Sequence, residues 1–280
     1  MTTELSSPQN SRIKELAKLS KRRTRDRRRL TLVEGTRECA RALAQGVEPV
    51  EAYVCPPLAD DDAATTVIAP LEALVRAGRT RRFDLTPALY EKVAYRGDSG
   101  GVLLVIPYVE TRLDALPPAP NPFYAVVEGV EKPGNLGAIL RTADAAGVDG
   151  VIICHTPDRP ATDLHNPNVV RASLGALFSV PVAEAATDAV LHWLEARGIA
   201  LIAATPEAAV RYTDVPMTGP VAIALGSEAA GLSDSLLAAA GQRMVIPMVG
   251  IVDSLNLATS AALLLYEVVR QRDRAERNQT

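Results

Sequence analysis

The residues of this chain best equipped for chemistry fall in three short segments: EKPGNLGAILRT (131–142), GSEAAGL (226–232) and IPMVGIVDSLNLA (246–258). They carry Asn135, Arg141, Glu228, Ser254 and Asn256: two carboxamides, a guanidinium, a carboxylate and a hydroxyl. A guanidinium stays protonated and is a poor base. Arg141 therefore suits electrostatic work, holding a phosphate or steadying negative charge that develops on an oxygen. Its alternative is a surface arginine with its stem packed on an otherwise apolar helix. Asn135 follows Pro133-Gly134 and fits a turn equally well. Glu228 can organise a cation or cap the turn after it. Ser254 can cap a following helix, because its hydroxyl accepts from first-turn N–H groups. One cap suffices. Asn256, one turn into a buried helix, then needs partners of its own and is expected to face Arg141 or an incoming ligand.

Several other chemistries lack their signatures. No GxGxxG follows a strand, no GxxxxGK[ST] occurs, and there is no GxSxG elbow. Cys39, Cys55 and Cys154 show no metal-ligand spacing and only three histidines are present. No metal is expected, and the cysteines read as reduced thiols of a cytoplasmic protein. No apolar run is long enough to span a membrane, and the N-terminus has no signal-like apolar stretch. The formal net charge of -3 hides an asymmetry. Residues 1–37 hold 11 Lys+Arg against 4 Asp+Glu, and the rest is acidic. KRRTRDRRR (21–29) packs seven basic residues into nine positions. Arg22, Arg23, Arg25, Arg27, Arg28 and Arg29 form either a solvated helix face or a site for a polyanion such as RNA.

These residues need elements to position them. A helix is expected over 8–29, then strand 30–35, helix 36–46, strand 51–55, a helix near 69–78, strand RRFDL, helix PALYEKVAY and strand GVLLVIPYV. This alternation is a small α/β domain over residues 1–107. ALPPAPNP cannot hold regular hydrogen-bonded structure, so a linker is placed at 108–121. From 122 to 280 the alternation restarts. FYAVVEGV is continuously apolar, as a parallel strand covered on both faces must be. About six strands and a last helix over roughly 254–273 follow. That helix is apolar around much of its girth (Leu255, Ala258, Ala262, Leu265 and Val269 on one stripe, Leu263, Leu264 and Val268 off it), consistent with monomer core or with a dimer contact. Ligands of open α/β sheets bind beyond the carboxyl ends of strands. All three polar segments stand there.

The order and spacing of these segments resemble the three motifs of the SpoU/TrmH family of RNA ribose 2′-O-methyltransferases, in the SPOUT superfamily. The resemblance covers 122–272, and VVRASLGALFSVPV between the first two motifs also fits. The N-terminal domain resembles the substrate-binding domain carried by many members. One position departs: Ala229 stands where the family usually has Gly after the motif Glu, and a left-handed backbone there would be strained.

The resemblance implies a fold: a C-terminal SPOUT α/β domain with a parallel sheet and a deep trefoil knot, plus a smaller N-terminal α/β substrate-binding domain. It implies S-adenosylmethionine as methyl donor and a homodimer through the C-terminal domain, with the active site near the subunit boundary. Leu225, Gly226, Ile246, Pro247, Met248 and Leu255 correspond to donor contacts. A positively charged donor suits neutral carbonyls and apolar walls. Arg141 corresponds to the arginine at the ribose 2′-hydroxyl, as base or activator, and Asn135 to the asparagine that helps hold it. The sizeable N-terminal domain points to large-subunit (23S) rRNA as substrate, in either a housekeeping or an antibiotic-resistance role. A tRNA substrate, or an inactive RNA-binding assembly factor, are the competing readings.

Overall fold

The computed structural model describes residues 2–94 and 100–278. The chain starts with β1 (Thr2–Leu5), then α1 (Ser11–Lys18) and α2 (Arg22–Arg28), where one helix over 8–29 was expected. The reason for the break is local. Lys21 takes an extended backbone (φ -91°, ψ 124°), which separates the two helices. The Arg25 guanidinium then turns back and donates to the carbonyls of Leu19 and Ser20, each at 2.8 Å, which the end of α1 leaves unpaired. β2 (Leu30–Glu34), α3 (Thr36–Ala44) and β3 (Glu51–Val54) follow. α4 runs Asp62–Arg76, earlier than expected, because Asp61 caps it by accepting from the Ala64 N–H at 2.7 Å, and Pro70 lies inside it. β4 (Arg81–Leu85), α5 (Pro87–Val93) and β5 (Val102–Pro107) complete this stretch. Tyr95, the expected end of α5, lies outside the described residues. The five strands form one mixed sheet in the order β1-β4-β3-β5-β2. Its core gathers Leu16, Leu19, Tyr53, Phe83, Leu89 and Tyr90.

The second sheet is built from β6 (Phe123–Glu128), α6 (Pro133–Ala146) and β7 (Gly150–His155). After α7 (Pro167–Ala172) it continues with β8 (Val182–Ala186), α8 (Thr187–Ala196), β9 (Ala200–Ala204), β10 (Val221–Leu225), α9 (Asp234–Ala239), β11 (Gln242–Met244) and α10 (Leu257–Arg277). All its pairings are parallel, in the order β11-β9-β10-β6-β7-β8. Every residue of β6 and β10 is buried, which is why both read as apolar runs, broken only by Glu128 at the end of β6. β10 inserts between β9 and β6, with Leu225 paired to Val127. The order therefore reverses beside β6. The loops after β6 and β10 leave the sheet side by side, the place where such sheets bind ligands.

The chain divides into two compact units, and not by a single cut: Met1–Val109 with Asp163–Ser179, and Glu110–Thr162 with Val180–Thr280. Residues 163–179, which lie in sequence within the second half, fasten to the first unit through side-chain bonds that include three long-range ones. Arg25 is ion-paired with Asp163, the Thr31 hydroxyl donates to the His165 carbonyl at 2.6 Å, and Arg41 donates to the Leu174 carbonyl. In the proline-rich stretch Leu113–Ala115 makes one helical turn, and Leu116 is buried in the core of the second unit beside Tyr124 and Trp193.

Candidate active site

The site starts at the carboxyl end of β6. Gly129 turns the chain with φ 63°, and α6 begins at Pro133, whose missing N–H costs nothing in the first turn. Asn135 stands in that first turn. On the other side, Asn256 is the N-cap of α10: its Oδ1 accepts from the Ala258 N–H at 3.0 Å. This corrects the expected division of labour. α10 begins at Leu257, three residues later than expected, so Asn256 provides the cap and Ser254 lies exposed in the loop ahead of it.

Capping uses only the oxygen of Asn256. Its Nδ2 donates to Glu228 Oε1 at 2.8 Å and to Asn135 Oδ1 at 3.1 Å, while Asn135 Nδ2 donates to Glu228 Oε1 at 3.1 Å. Lys132 is ion-paired with the other Glu228 oxygen. One carboxylate thus ties together the segments after β6, β10 and β11, at the N-termini of α6 and α10, where helix dipoles favour negative charge. The bonds from Lys132 and Asn135 hold the Glu228 carboxyl below the usual carboxylate range. It stays ionised and serves as a fixed acceptor. It does not cap the turn after it: Ser227 does, accepting from the Ala230 and Gly231 N–H groups. Arg141 is exposed on α6 and makes no hydrogen bond or ion pair among the described residues. The expected meeting of Asn256 with Arg141 is replaced by the meeting with Asn135 and Glu228.

Beside this network lies a cleft of about 900 Å³. Leu225, Gly226, Glu228, Ile246, Met248, Ser254 and Leu255 line it. Pro247, Asn135, Arg141 and Asn256 are not among its lining residues. Gly226 has no room for a side chain, since a Cβ there would sit 2.0 Å from the Gly231 carbonyl carbon. The left-handed position of this loop is Gly231 (φ 62°). Ala229 is not among the positive-φ residues, so the expected strain at Ala229 is absent. The lining includes Glu207, Glu228 and Asp253 and no Lys, Arg or His. Acidic walls, neutral carbonyls and apolar side chains fit a donor that carries a sulfonium and an ammonium, and would repel a phosphate-bearing cofactor.

Two contributions escaped the sequence reading. Lys132 was passed over although it directly precedes Pro133-Gly134-Asn135. Glu128 ends an apolar strand, fully buried. Its carboxylate accepts from the Ser233 N–H at 2.6 Å and from the hydroxyls of Ser233 and Thr187 at 2.8 and 2.7 Å, which anchors the starts of α9 and α8. A lone Glu closing an apolar strand was the available signal.

The basic run divides in two. Arg25 is buried at 2% exposure and paired inward, which removes it from the expected RNA-binding set. Arg22, Arg23, Arg27, Arg28 and Arg29 are exposed. Arg22 lies 3.5 Å from Asp26, Arg28 is ion-paired with Glu15, and Arg29 lies over the Tyr108 ring at 4.6 Å.

This arrangement can be set against known proteins. Residues 122–266 match the model of the SpoU rRNA methylase family, and residues 10–103 match an MRM3-like substrate-binding domain. The chain belongs to the SpoU rRNA methylase family. Membership carries the enzyme class, an RNA ribose 2′-O-methyltransferase, and S-adenosylmethionine as methyl donor. A 23S rRNA (uridine(2479)-2′-O)-methyltransferase of Streptomyces viridochromogenes is 32% identical over 206 residues, 71% of this chain and 70% of the relative. The crystal structure of an RNA 2′-O ribose methyltransferase, 38% identical, superposes with a TM-score of 0.80 over 96% of this chain and 99% of that one. The AdoMet-bound rRNA methyltransferase from Sinorhizobium meliloti, 28% identical, gives 0.86 over 96% and 98%. The SpoU fold and the separate N-terminal substrate-binding domain agree with the expected fold class. Among the described residues no helix is long and apolar enough to cross a membrane, and no His/Cys/Asp/Glu group could hold a metal.

Proposed function

We propose that this chain methylates a ribose 2′-hydroxyl of 23S rRNA. The observation that carries the reading is the junction of the Asn135–Glu228–Asn256 network with a cation-free cleft at the carboxyl ends of β9, β10 and β11. The names of the rRNA-modifying relatives support the choice of RNA. S-adenosylmethionine, held by Gly226, Ile246, Met248 and Leu255, supplies the electrophilic methyl group. The chain's own residues do the rest. Glu228 stays ionised and fixes Asn135 and Asn256, so the two carboxamides meet the target nucleotide in one orientation. Arg141, with its guanidinium free for an RNA ligand, stabilises the alkoxide character that develops on the 2′-oxygen as the methyl group passes to it from sulfur and its proton passes to solvent water. The exposed arginines of α2 and Arg29 take backbone phosphates.

The active unit of this reading is a cytoplasmic homodimer, and its C-terminal segment is threaded as the family's trefoil knot. The loop between β11 and α10 supports the dimer. Val249 and Ile251 are fully exposed at 99% and 101%, and Val252 beside them is also exposed. Apolar residues grouped in this way need a cover, and a second copy supplies one. Mapping 2′-O-methylation in RNA from cells with and without the protein tests the function. The expected result is one 23S rRNA ribose that loses its methyl group in the deletion. Unchanged 23S rRNA with a lost tRNA methyl would reassign the substrate.

A further inference from the structure

Arg159 lies in the loop after β7, in a segment (HTPDRPAT) without any motif. The turn that carries it is closed on itself. The Arg159 N–H donates to the Thr156 carbonyl at 3.1 Å, the Thr156 N–H returns a bond at 3.3 Å, and the Thr156 hydroxyl donates to Asp158 at 2.7 Å. Three residues on, the Thr162 N–H donates to the Val130 carbonyl at 2.6 Å, which ties the loop to the one after β6. From this fixed base the guanidinium donates to two successive carbonyls, Ala230 at 2.8 Å and Gly231 at 2.7 Å. The arginine stem passes Gly129, where an added Cβ would lie 3.3 Å from its own. The side chain is only 20% exposed.

The carbonyls it holds belong to the backbone that presses on Gly226, in the loop lining the cleft. We infer that Arg159 is a positioning residue that sets the affinity for the methyl donor by fixing the Ala230–Gly231 backbone. The inference rests on the reading of this cleft as the donor site. Arg159 itself is not among the lining residues, so it acts through the loop. Its effect therefore falls on how the loop fits the adenosine portion and not on the sulfonium charge. Loss of Arg159 weakens S-adenosylmethionine and its uncharged-sulfur product, S-adenosylhomocysteine, by the same factor. A carboxylate facing the sulfonium would discriminate between them.

The test is calorimetric titration of both compounds into wild-type protein, Arg159→Ala and Arg159→Lys, with RNA affinity measured alongside. Removing two hydrogen bonds of ordinary strength corresponds to a weakening of about tenfold or more. Arg159→Ala should show it equally for both compounds with unchanged RNA affinity. Arg159→Lys, which reaches one carbonyl, should recover part of it. Wild-type affinity in a folded Arg159→Ala, or a loss confined to the sulfonium compound, overturns the inference. If Arg159→Ala does not fold, Arg159→Lys decides alone, and wild-type affinity there is equally fatal. Failure of the wild-type protein to bind either compound would instead remove the donor-site reading itself.

Discussion

Asn256 spends one end of its carboxamide on capping α10 and the other on Glu228 and Asn135. Asn256, at the start of the last helix, is thus one residue with two duties. Its participation in a site was readable from the sequence, because an Asn in so apolar a stretch needs partners. Its capping role was not, because Ser254 two residues earlier is an equally good cap by type. Arg141 is the complementary case, singled out by its position in an apolar helix and exposed without a protein partner among the described residues. Arg141→Ala should lower the single-turnover rate by on the order of 10²–10³ while donor affinity and folding stay intact. Arg141→Lys should rescue poorly, since an ammonium lacks the planar fork. Near-wild-type turnover in Arg141→Ala would make that helix position structural.

At the scale of elements, α2 shows how composition alone misleads. Seven basic residues in nine suggest one uniform polyanion face, yet helical geometry turns Arg25 into the core and leaves its neighbours outside. Replacing Arg22, Arg23, Arg27 and Arg28 by Ala should weaken RNA binding and flatten its salt dependence, by about one unit of slope for each phosphate no longer neutralised, with donor affinity unchanged. An unaltered slope would show a solvated face only. The segment 163–179 carries a pH signature. His165 stacks on Tyr108 at 3.6 Å, its Nε2 accepts from the Val109 N–H at 3.1 Å, and burial pushes its pKa down to about 4. Nearby Asp163 and Asp26 oppose the shift; Arg29 and Arg25 add to it. The unfolded chain takes up the proton near pH 6.5 and the folded one near 4. The stability from neutral His165 is present above about pH 6.5 and is lost between about 6.5 and 4, by up to about 1.4 kcal/mol per pH unit. Denaturation midpoints of wild type and His165→Gln, whose amide oxygen can still accept from Val109, should show a flatter profile for the variant in this window. Parallel profiles would contradict this role.

For the whole molecule, the parallel sheet was legible because β6 and β10 are buried on both faces and are apolar throughout, apart from the hydrogen-bonded Glu128 that closes β6. The six-stranded order, and the adjacency of the first two motif loops, follow from β10 entering between β9 and β6, which no local pattern records. Nor does any pattern record that residues 163–179 join the first unit. That membership is fixed by pairs such as Arg25–Asp163, 138 positions apart. The loop from Val249 to Val252 raises the question of assembly. Ile251→Asp should convert a dimer in sedimentation into a monomer with the fold retained, and a wild-type monomer would refute the assembly. The central claim is tested most directly by incubating purified protein with labelled S-adenosylmethionine and either ribosomal RNA or tRNA, then locating the label by nucleoside analysis. The account predicts label in one 2′-O-methylated nucleoside of 23S rRNA, appearing far more slowly with Arg141→Ala. Label on a base, or none on any RNA with donor-bound protein, would contradict it.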